Sequence, residues 1–241
     1  SILTLIKYNK SKYFLDKTSK SHAIHDNDIY KLGGLLIFIN IFLFIIFRWD
    51  ILSAEIKTIL FFSLIISTIG IYEDLRTTDK FSWRLILITF ITLFFIWDNK
   101  FYINDLNLGY QIIDNLFDKY FIIKILVTLF CINTIIHSFN FMDGVNGNLN
   151  LFIITILSSI FIVLKQEELF ILNYELIHNI CLILVLALFF FNYPKPKIFM
   201  GDGGAYFFGF LISIYLILLS KNIPYQKVSL WHYANLMIFP F

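Results

Sequence analysis

Apolar runs of helix length recur along this chain, at roughly 33 to 47, 57 to 72, 85 to 97, 121 to 139, 150 to 164, 178 to 192, 205 to 220 and from 228 onward. About eight such runs, joined by short polar connections, leave few architectures open. Several fall short of the roughly 20 residues that cross a bilayer, so any one alone could be a buried helix or a re-entrant segment. Their repetition, with 59% apolar and only 15% charged residues, argues for lipid as the solvent, since a soluble domain carries about 25% charged residues. A mean hydropathy of +0.77 and 29 phenylalanines point the same way. The expected fold is all-α, a polytopic transmembrane helical bundle forming one integral-membrane domain over residues 1 to 241. Trp49, Trp83, Trp97 and Trp231 are placed to form interfacial belts.

A net charge of +2 with scattered basic residues gives no footprint for nucleic acid. Cys131 and Cys181 fall inside apolar runs and suggest neither a disulfide nor a metal site. No signal peptide is evident, because the short SILTLI run leads into lysines without a small-residue cleavage site. The chain opens on serine and stops within an apolar run, so it is expected to be a fragment lacking sequence at both ends.

Lysine and arginine favour the odd-numbered connections: six from Lys7 through Lys31, then Arg76, Lys80 and Arg84, then Lys195 and Lys197. These connections are expected on the cytoplasmic side, though the bias is modest. The alternation puts DNDIYKLGG, YEDLRTTDKFSWR, NFMDGVNGN and NYPKPKIFMGDGG on one side, where four polar loops can build one site.

In the last of these, Asp202 is expected to cap the helix entering the run at Ala205. The glycines after it would let a phosphate approach the positive helix end. Asp202 could also hold Mg²⁺, which favours one or two carboxylates plus substrate oxygens; a plain capped turn accounts for the loop equally well. If the helix from Phe121 continues, Asn140, Asp143 and Asn146 form a row three apart, suited to a metal, ribose hydroxyls or a base edge, or else to an ordinary glycine-rich turn. Glu73 and Asp74 end an apolar helix, where the dipole disfavours acids, so a cation or a proton-accepting role would explain them; a charged turn would too. Glu175 with His178, and His22 with His25, are expected at solvated positions.

Together, GIYEDL, NFMDGVNG and NYPKPKIFMGDGGAYFFGF resemble the polyprenyl-phosphate N-acetylhexosamine-1-phosphate transferases of glycosyltransferase family 4, on the bacterial branch that makes surface-polysaccharide precursors. Lys31-Leu32-Gly33-Gly34 is similar to that family's proline- and glycine-rich approach to a membrane helix. The resemblance implies a multi-pass protein of the inner membrane with a cytoplasmic cleft, and transfer of a sugar-1-phosphate from a UDP-sugar to undecaprenyl phosphate with release of UMP. Mg²⁺ is the implied cofactor, with Mn²⁺ as alternative, and a homodimer is left open. Carried over by motif, Asp202 and Asp143 become metal ligands. Asp74, Glu73 and Asp143 take catalytic places, with Asp74 preferred to Glu73 beside the lipid phosphate. Asn140, Asn146, Lys197, Gly203 and Gly204 contact substrate.

Departures from the family pattern are Glu73 for an aspartate, Asn146 for a second aspartate, His137 for an asparagine, and Asp28 to Lys31 in the first loop. They point to a different substrate range. The family's later histidine-rich loop would lie beyond Phe241. A transporter or channel is the competing class, and would require mid-membrane ionisable groups and an internal repeat; a catalytically silent relative is another.

Overall fold

The computed structural model describes residues 15–16, 29–75, 81–106, 110–143, 147–166 and 172–222. Within them run α1 (Gly33–Phe47), α2 (Ala54–Leu75), α3 (Phe81–Asn99), α4 (Gln111–Lys119), α5 (Phe121–Met142), α6 (Asn148–Gln166), α7 (Leu172–Asn192) and α8 (Gly201–Asn222). Two short antiparallel strands, β1 (Leu15–Asp16) and β2 (Ile29–Tyr30), precede them. The all-α expectation holds, with seven of the eight apolar runs appearing as helices. The eighth run, from 228, lies outside the described residues, as do Trp231, His22, His25, Asp28, Arg76, Lys80 and Asn146.

Among the described residues four segments are long and apolar enough to cross a membrane: Ala54–Leu75, Phe121–Met142, Tyr174–Asn192 and Gly201–Ser220. Outward faces of the bundle, on these segments and on α3, fit lipid. On α3, Ile86, Phe90, Phe94 and Trp97 form an exposed stripe at helical spacing, and Ile122, Leu126 and Phe130 do the same on α5. In water these stripes would be aggregation surfaces; against acyl chains they cost nothing.

The helix α8 is the axis of the bundle, packed by α2, α5 and α1 and buried continuously from Gly203 to Tyr215. Lipid is as apolar as leucine, so these helices gain from close van der Waals approach instead of from escape from water. Glycines permit the approach. A Cβ on Gly34 would lie 2.5 Å from the Gly204 nitrogen, and one on Gly209 would lie 2.7 Å from the Ile136 Cα. Ser67 on α2 also donates to the Gly203 carbonyl at 2.9 Å, and Thr89 on α3 to Asn133 on α5 at 3.3 Å.

The helix α4 was not expected from the sequence. Tyr120, held in an extended conformation (φ −112, ψ 105), breaks what would otherwise be one helix and turns the chain from α4 into the long α5. Lys100, at φ 54, ends α3 in the left-handed region.

Tertiary bonds fix which helix ends meet. Gly147, just before α6, donates to Asn192 at the end of α7 at 3.0 Å. At the other end of the bundle Tyr174, early in α7, donates to Glu55, early in α2, at 2.9 Å. The two ends of the bundle thus have different chemistry, and the first holds nearly all the motif residues.

Candidate active site

The first N–H groups of any helix lack partners within it. On α8 they are met by carboxylates from two other helices. Gly201 donates to Asp143 Oδ2 at 2.7 Å, while Asp202 and Gly203 donate to the two oxygens of Asp74 at 3.1 Å each. Asp74 closes the last turn of α2, and Asp143 caps α5. Acids at those C-terminal ends are unfavourable alone, and the positive end of α8 supplies the compensation. Asp202 itself lies inside the first turn of α8, which begins at Gly201, and so is not the helix cap that the sequence suggested. That shift frees its side chain to point away from its own backbone.

Among the described residues two cations reach Asp202. Arg84 Nη1 lies 3.4 Å from Asp202 Oδ2 and also binds Glu73 Oε1. Lys31 Nζ lies 3.9 Å from Asp202 Oδ1. Lys31 is held there by backbone pairing of its segment with the strand-like approach to α8: Phe199 donates to the Tyr30 carbonyl at 2.9 Å and Gly33 to the Phe199 carbonyl at 3.0 Å. Tyr30 and Ile198 form a parallel bridge. Arg84, Glu73 and Asp202 side chains are each only about one-seventh exposed, so these pairs are sheltered from screening more than ordinary surface ion pairs.

Glu73, Asp74, Asp143 and Asp202 thus stand against Arg84 and Lys31, an excess of negative charge in a poorly solvated place. Asp143 shows the strain: burial pushes its pKa up to about 7, although Lys31 and the Gly201 N–H pull it down. Among the described residues Glu73 Oε2 is buried without a hydrogen-bond partner, as are Asn140 Nδ2 and the Tyr206 hydroxyl. Among the described residues no three His, Cys, Asp or Glu side chains enclose a metal by themselves. Magnesium does not require that, taking one or two carboxylates and completing its shell with substrate and water oxygens. Surplus carboxylate charge with an uncommitted Glu73 oxygen beside Asp202 is a donor set that fits it.

The structure therefore brings together Glu73, Asp74, Asp143 and Asp202, with Asn140 one helical turn from Asp143. Lys197 is exposed, and no ion pair joins it to the described residues of the cluster. The expected helical row of Asn140, Asp143 and Asn146 stops at Met142, where α5 ends. Gly203 and Gly204, expected beside a phosphate, are buried against α2 and α1: a Cβ on Gly203 would strike Ile71, and one on Gly204 would crowd Ile37 at 3.0 Å. Helix packing explains both.

Sequence reasoning did not single out Arg84, Lys31 or Tyr206 as site residues. By sequence Arg84 counts among the loop charges, but it sits in the first turn of α3. The signal for it was its place one turn into an apolar helix, where an unpaired guanidinium would be costly. His178 is a further correction. It is buried, 1% exposed, between Phe161 and Tyr215 rather than solvated.

A family model described as Glycosyl transferase family 4 matches residues 56–220, more than half of the chain. The match contains Glu73, Asp74, Arg84, Asp143 and Asp202, and leaves Lys31 outside. No curated protein matches the chain.

Proposed function

Since the chain belongs to glycosyl transferase family 4, we propose that it transfers N-acetylhexosamine-1-phosphate from a UDP-sugar to undecaprenyl phosphate in envelope polysaccharide synthesis. The family joins sugar phosphates to polyprenyl phosphates in the membrane; the donor, the sugar and the carrier length are the proposed part. The observation that carries the reading is the gathering of four carboxylates and two cations at the ends of α2, α3, α5 and α8, at one end of a membrane bundle.

In this reaction an oxygen of the carrier phosphate bonds to the sugar-side phosphorus. The bond from that phosphorus to the bridging oxygen breaks, and UMP leaves with the electron pair. Both reactants are anions, so the protein's task is positioning and charge compensation. Arg84 and Lys31 supply fixed positive charge beside Asp202. Asp202 and Asp143 are the proposed holders of Mg²⁺, with Mn²⁺ as alternative; when bound, the ion would offset charge on the diphosphate. Asp74 is a positioning residue, since both its oxygens hold the α8 N-terminus. This reverses the preference expected from motif order. Glu73, with one oxygen uncommitted, is the better placed to accept a proton or complete a metal site. Asn140 serves as a polar contact for substrate; Asn146, Lys197, Gly203 and Gly204 keep a substrate role only by family resemblance.

The test is UMP release by the natural full-length protein, given UDP-N-acetylhexosamines and undecaprenyl phosphate, with and without Mg²⁺, beside Asp202→Asn. Release that needs lipid, metal and Asp202 is the expected result. A folded protein inactive across a panel of UDP-sugars would remove the proposal.

A further inference from the structure

Tyr206 is fully buried, and its hydroxyl meets no hydrogen-bond partner among the described residues. A buried donor left idle is costly, because it has given up water and gained nothing. Phenylalanine would fill the same space without that penalty; since Tyr215 on the same helix also carries an idle hydroxyl, it is the surroundings of Tyr206 that mark it for a ligand. Its surroundings say which kind. Tyr206 lies four residues after Asp202 on the same face of α8, within electrostatic reach of Arg84 as well as of Asp202, Glu73 and Asp74. The His137 ring of α5 stands edge-on to it at 6.0 Å. Asn140, one turn nearer the carboxylates on α5, carries a second idle donor in Nδ2. Two O–H and N–H donors and a guanidinium suit an anionic oxygen; of the carboxylates nearby, Asp74 is held by the α8 amides and Glu73 and Asp202 by Arg84, with one Glu73 oxygen left uncommitted.

Depth distinguishes the two anions of the proposed reaction. Four residues of helix advance about 6 Å, so Tyr206 stands that much further along α8 toward the membrane interior than Asp202. A nucleotide diphosphate arrives from water and meets the carboxylate layer first. A lipid-linked phosphate arrives from the membrane side and meets the deeper layer.

We propose that the Tyr206 hydroxyl is an acceptor-binding contact, donating a hydrogen bond to a phosphoryl oxygen of the polyprenyl phosphate beside Arg84 and Asn140. The identity of the lipid rests on the transferase reading above; the anion contact itself does not. Tyr206 thereby selects a phosphorylated carrier over the free alcohol.

The experiment compares Tyr206→Phe with Tyr215→Phe in the full-length protein. Tyr215 is on the same helix, buried, and also lacks a hydroxyl partner, but lies toward the far end, so it controls for loss of a buried phenol as such. Binding of undecaprenyl phosphate, undecaprenol and UDP is measured by ligand-induced thermal stabilisation, beside KM for lipid and for UDP-sugar. Tyr206→Phe is expected to weaken undecaprenyl phosphate binding and raise its KM about tenfold. Undecaprenol binding, UDP binding and the KM for UDP-sugar should stay unchanged, and Tyr215→Phe should match wild type. Unchanged lipid-phosphate binding in a folded Tyr206→Phe protein, or a loss confined to UDP, overturns the proposal. A wild-type protein that transfers nothing, but whose preference for phosphate over alcohol is lost in Tyr206→Phe, would sink the transferase reading and leave the Tyr206 contact standing. Active transfer with unaltered lipid selectivity would do the reverse.

Discussion

Gly201 is the residue on which the site's geometry turns. Its φ of +74 lies in the left-handed region, and a Cβ there would stand 2.6 Å from Asp74 Oδ2. Gly201→Ala therefore adds about 1–2 kcal/mol of backbone strain and drives Asp74 off the amides of Asp202 and Gly203. We expect a lower melting temperature together with at least tenfold slower UMP release; wild-type values for both would show that the α8 N-terminus tolerates displacement. Asp143 yields a pH prediction. Its folded pKa of about 7 exceeds the unfolded value near 3.8, so between those limits the folded chain holds a proton that the unfolded chain has released. Stability is then greatest at the acid end and drains as pH rises toward 7, by on the order of 4 kcal/mol. Melting of metal-free protein should fall from pH 5 to 8 in wild type and much less in Asp143→Asn, while added Mg²⁺ should recover wild type most at pH 8. Parallel pH slopes in the two proteins would refute this. Of these site residues, the four acids were legible because each sits in a glycine-bearing motif at a helix end. Arg84 was not, because what defines it is Asp202, which sequence distance separates and only the α3–α5–α8 packing brings near.

At the scale of elements, the long helices α5 and α8 were legible because unbroken apolar runs permit little else in lipid. The helix α4 escaped notice because its apolar residues are interleaved with Asp114, Asn115, Asp118 and Lys119. Ile112, Ile113 and Leu116 lie along one exposed face of it, while Gln111, Asn115 and Asp118 occupy another, and Phe117 is buried. An amphipathic helix joined through Tyr120 to a spanning helix suits the plane of the membrane surface. Spin labels at Ile112→Cys and Leu116→Cys, with Cys131 and Cys181 replaced, should be reached by oxygen more than by a water-soluble nickel reagent. Asn115→Cys and Asp118→Cys should show the opposite. Equal accessibility at all four positions would mean that α4 stands clear of lipid. Helix starts were less legible than helix interiors: α8 begins at Gly201 instead of Ala205 because the carboxylates satisfying its first amides come from α2 and α5, which no local pattern discloses.

For the whole molecule the open physical question is which end faces the cytoplasm. Counted along the sequence alone, eleven of the nineteen lysines and arginines fall in the odd-numbered connections expected on the cytoplasmic side, and eight elsewhere. So small an excess orients a bundle weakly, and the chemistry argues more strongly. On the proposed reading the donor is a UDP-sugar, a water-soluble product of cytoplasmic metabolism, so the site would open to that side and α4 would lie at the outer surface of the membrane. Lys197 is exposed at the site end and Asn115 at the other. With Cys131 and Cys181 replaced, a membrane-impermeant maleimide should label Asn115→Cys in intact cells whose outer barrier has been opened, and should label Lys197→Cys only after the inner membrane is breached. The reverse pattern would place the carboxylate cluster outside the cell's nucleotide pool, and a UDP-sugar could then not be its donor, whatever the family.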